Sequence, residues 1–459
     1  MKFNLNFDVK SNIVSLVVIA SILILLIYFI IIVHKRRQYN HQNEKYNHNT
    51  LQNNKNSRLN SNLNSNLNSR QNSNLNSNLN SRKISKLDTS YLTENFKNNK
   101  YNSGKCEIDK RGLVKDELYD KVKNVDIVYM WVDGSDKTWQ KSMRSNENSR
   151  NRSNNEILYS LRSISKFMPW HEGRVFIVTP NQTPSGINSV KGTDENAIRN
   201  APKNSTIIID QNSIIPREIG ETMNSFMIEV FLHRIPTLTE DFIYMNDDYF
   251  MGKPLIPSDF YSLNRDKTLR PKFYSNNFKI NGGIKKSNEF YKKKRKLWLS
   301  ATYFTNSKLT DYFKMVNDRN NRMNNTNNEY KQPERFYLEH APYMFKKSWC
   351  KEVFDIWKPE FKKMYGHKRR HWYDLIFVLM YRYYCIESGK ECDLIREPEN
   401  IFLKLITNNK KENVKFYEKV TDKCPKFFTL NDEYSKEDVK TDMTDFMENF
   451  FNNKGLFEA

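Results

Sequence analysis

Residues 59–70 read LNSNLNSNLNSR, and residues 71–82 repeat them with Gln71 in place of Leu59. One apolar side chain in four, with Asn and Ser between, is too sparse to build a buried face. A segment of this kind cannot offset the entropy of ordering its backbone. The tract over 38–103 is therefore expected to be a disordered stalk. It also accounts for averages that would otherwise suggest a disordered chain: mean hydropathy is −0.79, hydrophobic residues make up 38% and net charge is +21. Yet 13% of residues are aromatic, with 29 Phe and 25 Tyr, more than an unstructured chain carries. Folding capacity must lie in residues 104–459, enough to bury a sizeable core.

Before the stalk, Ile13 to Val33 form 21 residues without a charge. At about 1.5 Å per residue they reach roughly 31 Å, the thickness of a bilayer's hydrocarbon core. A signal peptide's apolar region is shorter, and no small-residue cleavage site follows. The expectation is a single transmembrane signal anchor over 13–33, behind a short tail of residues 1–12. Lys2 and Lys10 precede it and Lys35, Arg36 and Arg37 follow it, so a charge count alone leaves the body cytoplasmic. Sequons at Asn151, Asn181, Asn204 and Asn324 point the other way. Five Cys and 13 Gly exclude a collagenous chain, a disulfide-dense miniprotein and a zinc-ribbon array. The five Cys allow two disulfides with one left over, or five thiols. The basic run Lys285–Lys296 lacks any associated recognition motif, which argues for a solvated face and against nucleic acid.

The body alternates short apolar runs with amphipathic segments. Val125–Trp131, Arg174–Val178, Thr206–Ile209 and Phe242–Met245 read as buried strands. Between them Ile157, Leu158, Leu161, Ile164 and Phe167 keep helical spacing, with Asn155 as the expected cap and Pro169 beyond the end. A second helix is expected over Ser225–Leu232, and Leu375–Tyr381 as a buried one. This order predicts an α/β fold: a mostly parallel, Rossmann-like sheet with crossover helices and a helical C-terminal part.

In open parallel sheets ligands bind beyond the carboxyl ends of the strands. Asp133 and Asp136 follow the first strand, and Asp247 and Asp248 follow the fourth. Adjacent carboxylates there suit a hard divalent cation that also holds phosphate oxygens. An isolated Asn-Asp-Asp is more often a polar turn; two such clusters at strand ends shift the balance. Pro342 favours an extended Ala341 and would hold His340 at a defined loop position, although a lone His is more often structural. Arg369 and Arg370 could grip phosphate bidentately. Asn431-Asp432-Glu433 adds a further acidic spot.

The order of these segments carries more than any one of them. DIVYMWVDGSD (126–136), SLRSISKFMPW (160–170), RVFIVTPNQTP (174–184) and FLHRIPTLTEDFIYMNDDYFMGKP (231–254) resemble the first two conserved regions of the Stealth family. EHAPYMFKKSW (339–349) resembles the third, and CPKFFTLNDEY (424–434) the fourth. The resemblance implies a hexose-1-phosphate transferase that takes a UDP-sugar donor, with GlcNAc-1-phosphate the favoured group, and releases UMP. It implies Mg²⁺ or Mn²⁺ at Asp247 and Asp248. By motif position Asp133, Asp247, Asp248, His340 and Asp432 are catalytic candidates, and Gly134, Arg162, Asn224 and Arg369 serve the donor. The acceptor would be a hydroxyl on a glycan or glycoprotein, and no nucleic acid is implied. Eukaryotic members are Golgi membrane proteins, so a single-pass protein with a luminal catalytic domain is expected despite the charge count. Asp133 stands where relatives commonly have Asn, and no Cys-rich acceptor-recognition insertion is present. A metal-dependent glycosyltransferase releasing UDP is the alternative. Whether the chain forms a homo-oligomer is left open.

Overall fold

The computed structural model describes residues 101–107, 111, 114–144, 152–294 and 296–459. The expected anchor and nearly all of the expected stalk lie outside these residues. Among the described residues no helix is long and apolar enough to cross a membrane.

Thirteen strands appear in the described chain: β1 (Asp126–Met130), β2 (Val175–Thr179), β3 (Ser189–Lys191), β4 (Thr206–Asp210), β5 (Asp241–Asn246), β6 (Tyr249–Met251), β7 (Tyr261–Leu263), β8 (Leu269–Lys279), β9 (Phe336–Leu338), β10 (Tyr343–Lys346), β11 (Asp393–Ile395), β12 (Ile401–Ile406) and β13 (Phe427–Asp432). Six of them form the main sheet in the order β10-β5-β1-β2-β4-β3. The apolar runs read from sequence are its centre, buried on both faces as parallel strands under crossover helices must be. The pairs β5–β1, β1–β2, β2–β4 and β4–β3 are parallel, and only β10 runs antiparallel, along β5.

The chain winds outward from β1 to β4 and then returns to place β5 on the other side of β1. The strand order reverses between β1 and β5, and the crevice at their carboxyl ends is the expected ligand position. Loops carrying Asp133 and Asp247 leave from those two ends.

Two smaller sheets were not foreseen. One joins β11, β8 and β7, with β9 also on β8; the other is β12-β13-β6. The C-terminal part is thus helical and stranded together, a correction to the helical expectation. In the second small sheet β6 runs antiparallel to β13 with Tyr249 opposite Thr429. That register brings the end of β13, with Asp432, back alongside the Asp247–Asp248 pair. Gly252 makes the approach workable, because a Cβ there would lie 2.5 Å from the Pro425 carbonyl oxygen. Likewise Tyr343 lies opposite Tyr244 in the β10–β5 pair, which carries the preceding His340 past the end of β5.

Apolar burial lies on both sides of the main sheet. One face packs the Glu156–Phe167 and Glu437–Phe450 helices, with Phe428, Phe446, Phe450 and Phe451 in mutual ring contact. The other packs the Phe377–Glu387 helix, with Phe345 and Tyr381 at 4.6 Å. A disulfide joins Cys106 to Cys424 across 318 residues, and Tyr101 packs against Tyr417 and Phe446. The packed body therefore begins a few residues before 104. Cys350, Cys385 and Cys392 are thiols.

Candidate active site

Four carboxylates converge beyond the carboxyl ends of β1 and β5. Asp247 and Asp248 sit in the turn between β5 and β6, and Asp432 ends β13. Glu156 opens the helix that follows Asn155. Burial raises the Asp248 carboxyl to about 7; the charges of Glu156 and Asp432 add to this and Arg370 opposes it. Burial, Asp248 and Glu156 together push Asp247 well above the usual carboxylate range. Glu156 is raised in the same way, burial first and Asp432 with it, although Asn154 bonds oppose the shift. Asp247, Asp248 and Glu156 therefore resist ionising in this cluster.

The hydrogen-bond partners are incomplete. Asp432 Oδ2 accepts from Arg152 Nε at 2.9 Å and from Asn154 Nδ2 at 3.0 Å. Asp432 Oδ1 and Asp248 Oδ1 are buried without a hydrogen-bond partner. Unpartnered buried carboxylate oxygens, all hard donors, are what a divalent cation of the Mg²⁺ or Mn²⁺ type requires, so the residues fit such an ion. Asp247, Asp248 and Asp432 are the groups that would hold it.

His340 borders this cluster. Its ring meets Tyr249 edge-on at 5.9 Å, its carbonyl accepts from Thr429 Oγ1 at 3.2 Å, and its Nδ1 is buried without a partner. Burial, then the Arg370 charge, lowers its pKa to about 4, so the ring is neutral at physiological pH and able to take a proton. Arg370 is a further cation of the site, besides the Arg152 paired with Asp432. Its charge is felt at Asp248, His340 and Glu229, while its Nε donates to Ser225 Oγ at 2.8 Å and its guanidinium lies over the Phe226 ring. Glu229, raised to about 7 by burial, approaches Tyr244, whose hydroxyl also donates to Asn246 Oδ1 at 2.7 Å.

A second polar cluster holds Arg370 in place. Asp374, fully buried, accepts from His367 Nδ1 at 2.5 Å, from the His371 amide at 2.7 Å and from Asn224 Nδ2 at 2.7 Å. His367, His371 and Asp374 bring their ligand atoms within 4.8 Å of one another. With three donors already on the carboxylate, the group fits a brace for the 367–371 loop better than a metal cage.

The residues singled out from sequence divide accordingly. Asp247, Asp248, His340 and Asp432 come together. Asp133 lies in the loop beyond β1, where its Oδ1 accepts from the Ser135 amide and hydroxyl and Gln182 brackets its backbone. Gly134 beside it accepts from Gln140 Nε2, and Asp136 is used as the cap of the Lys137–Met143 helix. Arg162 is placed elsewhere: its guanidinium donates to Glu458 and Glu448 and to the Phe451 carbonyl, tying its helix to the C-terminal segment. Asn224 is part of the Asp374 brace, with its Oδ1 unpartnered. Arg369 and Arg370 are both exposed, and Arg370 is the one whose charge acts on the cluster.

Glu156, Asn154 and Arg152 were missed. The stretch Asn154-Asn155-Glu156 reads as a helix start, but Asn155 has φ 62° and its side chain makes no cap bond. Asn154 instead bonds both Glu156 and Asp432. A Glu in the first turn is ordinary helix chemistry, so no sequence signal marked it.

Three family signatures match in order: Stealth protein CR1, conserved region 1, over residues 123–150; CR2, conserved region 2, over 150–269; and CR3, conserved region 3, over 339–387. Residues 123–269 and 339–387 thus carry three conserved regions of the Stealth family in order. Among the chain's relatives, capsular polysaccharide phosphotransferase cps1A of Actinobacillus pleuropneumoniae is 34% identical over 154 residues, 31% of this chain and 39% of that protein. The Haemophilus influenzae capsular polysaccharide phosphotransferase fcs1 is 34% identical over 193 residues, 36% of this chain and 50% of that one. LcbA of Neisseria meningitidis, another capsular polysaccharide phosphotransferase, is 36% identical over 152 residues, covering 30% and 38%. The chain spans about two fifths to one half of the length of these relatives. Among solved structures, galactosyltransferase LgtC with donor and acceptor sugar analogues overlaps 71% of the chain and 96% of its own, at 9% identity and a TM-score of 0.33. A likeness that loose adds nothing to the topology.

Proposed function

We propose that this chain transfers a sugar-1-phosphate, GlcNAc-1-phosphate in the favoured case, from a UDP-sugar to a hydroxyl of a glycan or glycoprotein. The observation that carries the proposal is the convergence of Asp247, Asp248, Asp432, His340 and Arg370 at the switch point of the sheet. Phosphoryl transfer needs neutralised charge and in-line placement more than covalent help. The neutral His340 accepts the acceptor hydroxyl's proton as that oxygen attacks the β-phosphorus. The bond from the β-phosphorus to the bridging oxygen breaks, and UMP leaves with that oxygen. Arg370 holds the diphosphate and offsets charge on the equatorial oxygens. A divalent cation at Asp247, Asp248 and Asp432 would neutralise phosphate charge.

The same donor also serves a glycosyltransferase, and the two readings differ in the bond broken. Label placed in the donor's β-phosphate should end on the acceptor, in a sugar–phosphate diester. Label retained in released UDP would instead mean attack at the anomeric carbon.

The body is proposed to be luminal, in a single-pass Golgi membrane protein. The Cys106–Cys424 disulfide supports this, because such bonds persist in oxidising compartments. Glycosidase should increase gel mobility, and a reductant should alter migration of the protease-trimmed body. A body digested by protease in intact vesicles would place it on the cytoplasmic side.

A further inference from the structure

Beside the site the structure presents aromatic rings to solvent. Phe278, at the end of β8, is 40% exposed, and Trp298, at the start of the Leu297–Asn324 helix, is 41% exposed. Both contact Tyr337 of β9, with centroids at 6.3 and 5.2 Å, and each other at 6.3 Å. Rings of this size are normally buried; two exposed together on a half-buried Tyr337 mark a binding site rather than scatter. β9 fixes the direction, because three residues after Tyr337 the same segment delivers His340. Burial dominates at the Tyr337 hydroxyl, and the Arg370 charge that acts on Asp248 and His340 also acts there.

The second feature is charge. The basic run noted in the sequence ends on this surface: Lys293, Lys294 and Lys296 are exposed, and Lys296 immediately precedes the helix that carries Trp298. Ammonium groups there find no role in holding the fold, yet they complement an anionic ligand.

We propose that Phe278, Trp298 and Tyr337 form a stacking platform for a pyranose ring of an anionic glycan acceptor, with Lys293, Lys294 and Lys296 facing its negative groups. The inference rests on the proposed phosphotransfer: each transfer leaves one phosphodiester on its acceptor, so an acceptor that has already received a unit is an acidic oligosaccharide. A pyranose presents an apolar face of C–H groups that suits an open ring surface. A nucleobase would instead be read at its edge by hydrogen bonds in a slot, and this platform lies open.

The test uses the full chain and two probes: an oligosaccharide of four hexoses joined by phosphodiesters, and its neutral counterpart without them. Trp298→Ala should raise the KM for the diester probe about 10-fold, the scale of losing one stacked ring. Donor KM and kcat should stay within about twofold. The more conservative Phe278→Leu should act in the same direction, which guards against a folding defect in the first variant. Lys294→Gln with Lys296→Gln should weaken the diester probe, leave the neutral one unchanged and flatten the salt dependence. A raised donor KM, or weaker UMP binding, would assign the platform to the nucleotide and overturn the proposal, as would unchanged acceptor KM in all variants. Calorimetric binding of the diester probe to Asp248→Asn, measured without donor, needs no turnover. It tests the platform even if labelling shows UDP release.

Discussion

Two buried carboxylate clusters lie on either side of Arg370, and they are built on opposite terms. Both oxygens of Asp374 are answered: His367, the His371 amide and Asn224 all donate to it. Around Asp248 and Asp432 two oxygens are buried with no donor, and burial with neighbouring carboxylate charge raises the proton affinity of Asp247 and Asp248. A satisfied network holds backbone in place, whereas an unsatisfied one is stable only once something positive arrives. The first cluster is a brace, and the second is a receptor for charge.

The contrast is broken most sharply by removing a charge from each cluster. Asp248→Asn should reduce kcat at least about 100-fold, the scale of losing electrostatic stabilisation of a transferring phosphate. Folding should be kept, since that substitution relieves repulsion. Steady-state kinetics beside circular dichroism would check both halves, and near-normal turnover would reduce Asn246-Asp247-Asp248 to a polar turn. The neighbouring arginines come next. Arg370→Ala should lower kcat/KM by about 10- to 100-fold, whereas Arg369→Ala should change it less than about twofold. Equal effects would mean that the loop is not held as described.

In the brace, Asp374→Asn should behave differently from the receptor. It leaves buried donors without an acceptor, so unfolding free energy should fall by about 2 kcal/mol, with activity declining because Arg370 is no longer held. Denaturant titration measures the first effect. A variant as stable as the parent would remove Asp374 from its bracing role.

The smallest expected effect concerns pH. The Asp248 carboxyl titrates near 3.8 when unfolded and at about 7 in the folded chain. A raised folded value means that ionising this group is harder in the native state. The penalty is absent below about pH 4, grows through the interval and is complete above about pH 7. Cation-free protein should therefore lose stability from this site as pH rises from 4 to 7, by about 5 °C in melting temperature. Added Mn²⁺ should cancel the loss at pH 8 but not at pH 5. A melting temperature at pH 8 unmoved by Mn²⁺ would count against the cluster as a cation site.

Much of the main sheet could be read from sequence because β1, β2, β4 and β5 are doubly buried apolar runs whose signal is local. The small sheets could not. β6 is three residues long, and its pairing with β13 joins positions almost 180 apart, a contact that no local pattern records. Within the site, Asp247, Asp248, His340 and Asp432 were legible as polar residues ending strands or preceding a Pro. Glu156 was hidden by its resemblance to a helix start. Arg369 and Arg370 are indistinguishable as letters; only the loop's fold, which sets Arg370 on Ser225 and over Phe226, decides which charge reaches the cluster. Arg162 was placed by motif position, which carries no information about the C-terminal acids that take up its guanidinium.

The pairing of β13 with β6 also sets when the protein can begin to work. Synthesis runs from the N-terminus, and domains assemble as their parts emerge from the ribosome. Asp247, Asp248 and His340 are made long before Asp432, and β13 is the last strand to appear. Until it inserts, the β6 edge has an open row of backbone donors and acceptors, and the acidic pocket lacks one wall. The nascent chain is thus expected to stay inert until its last strand pairs.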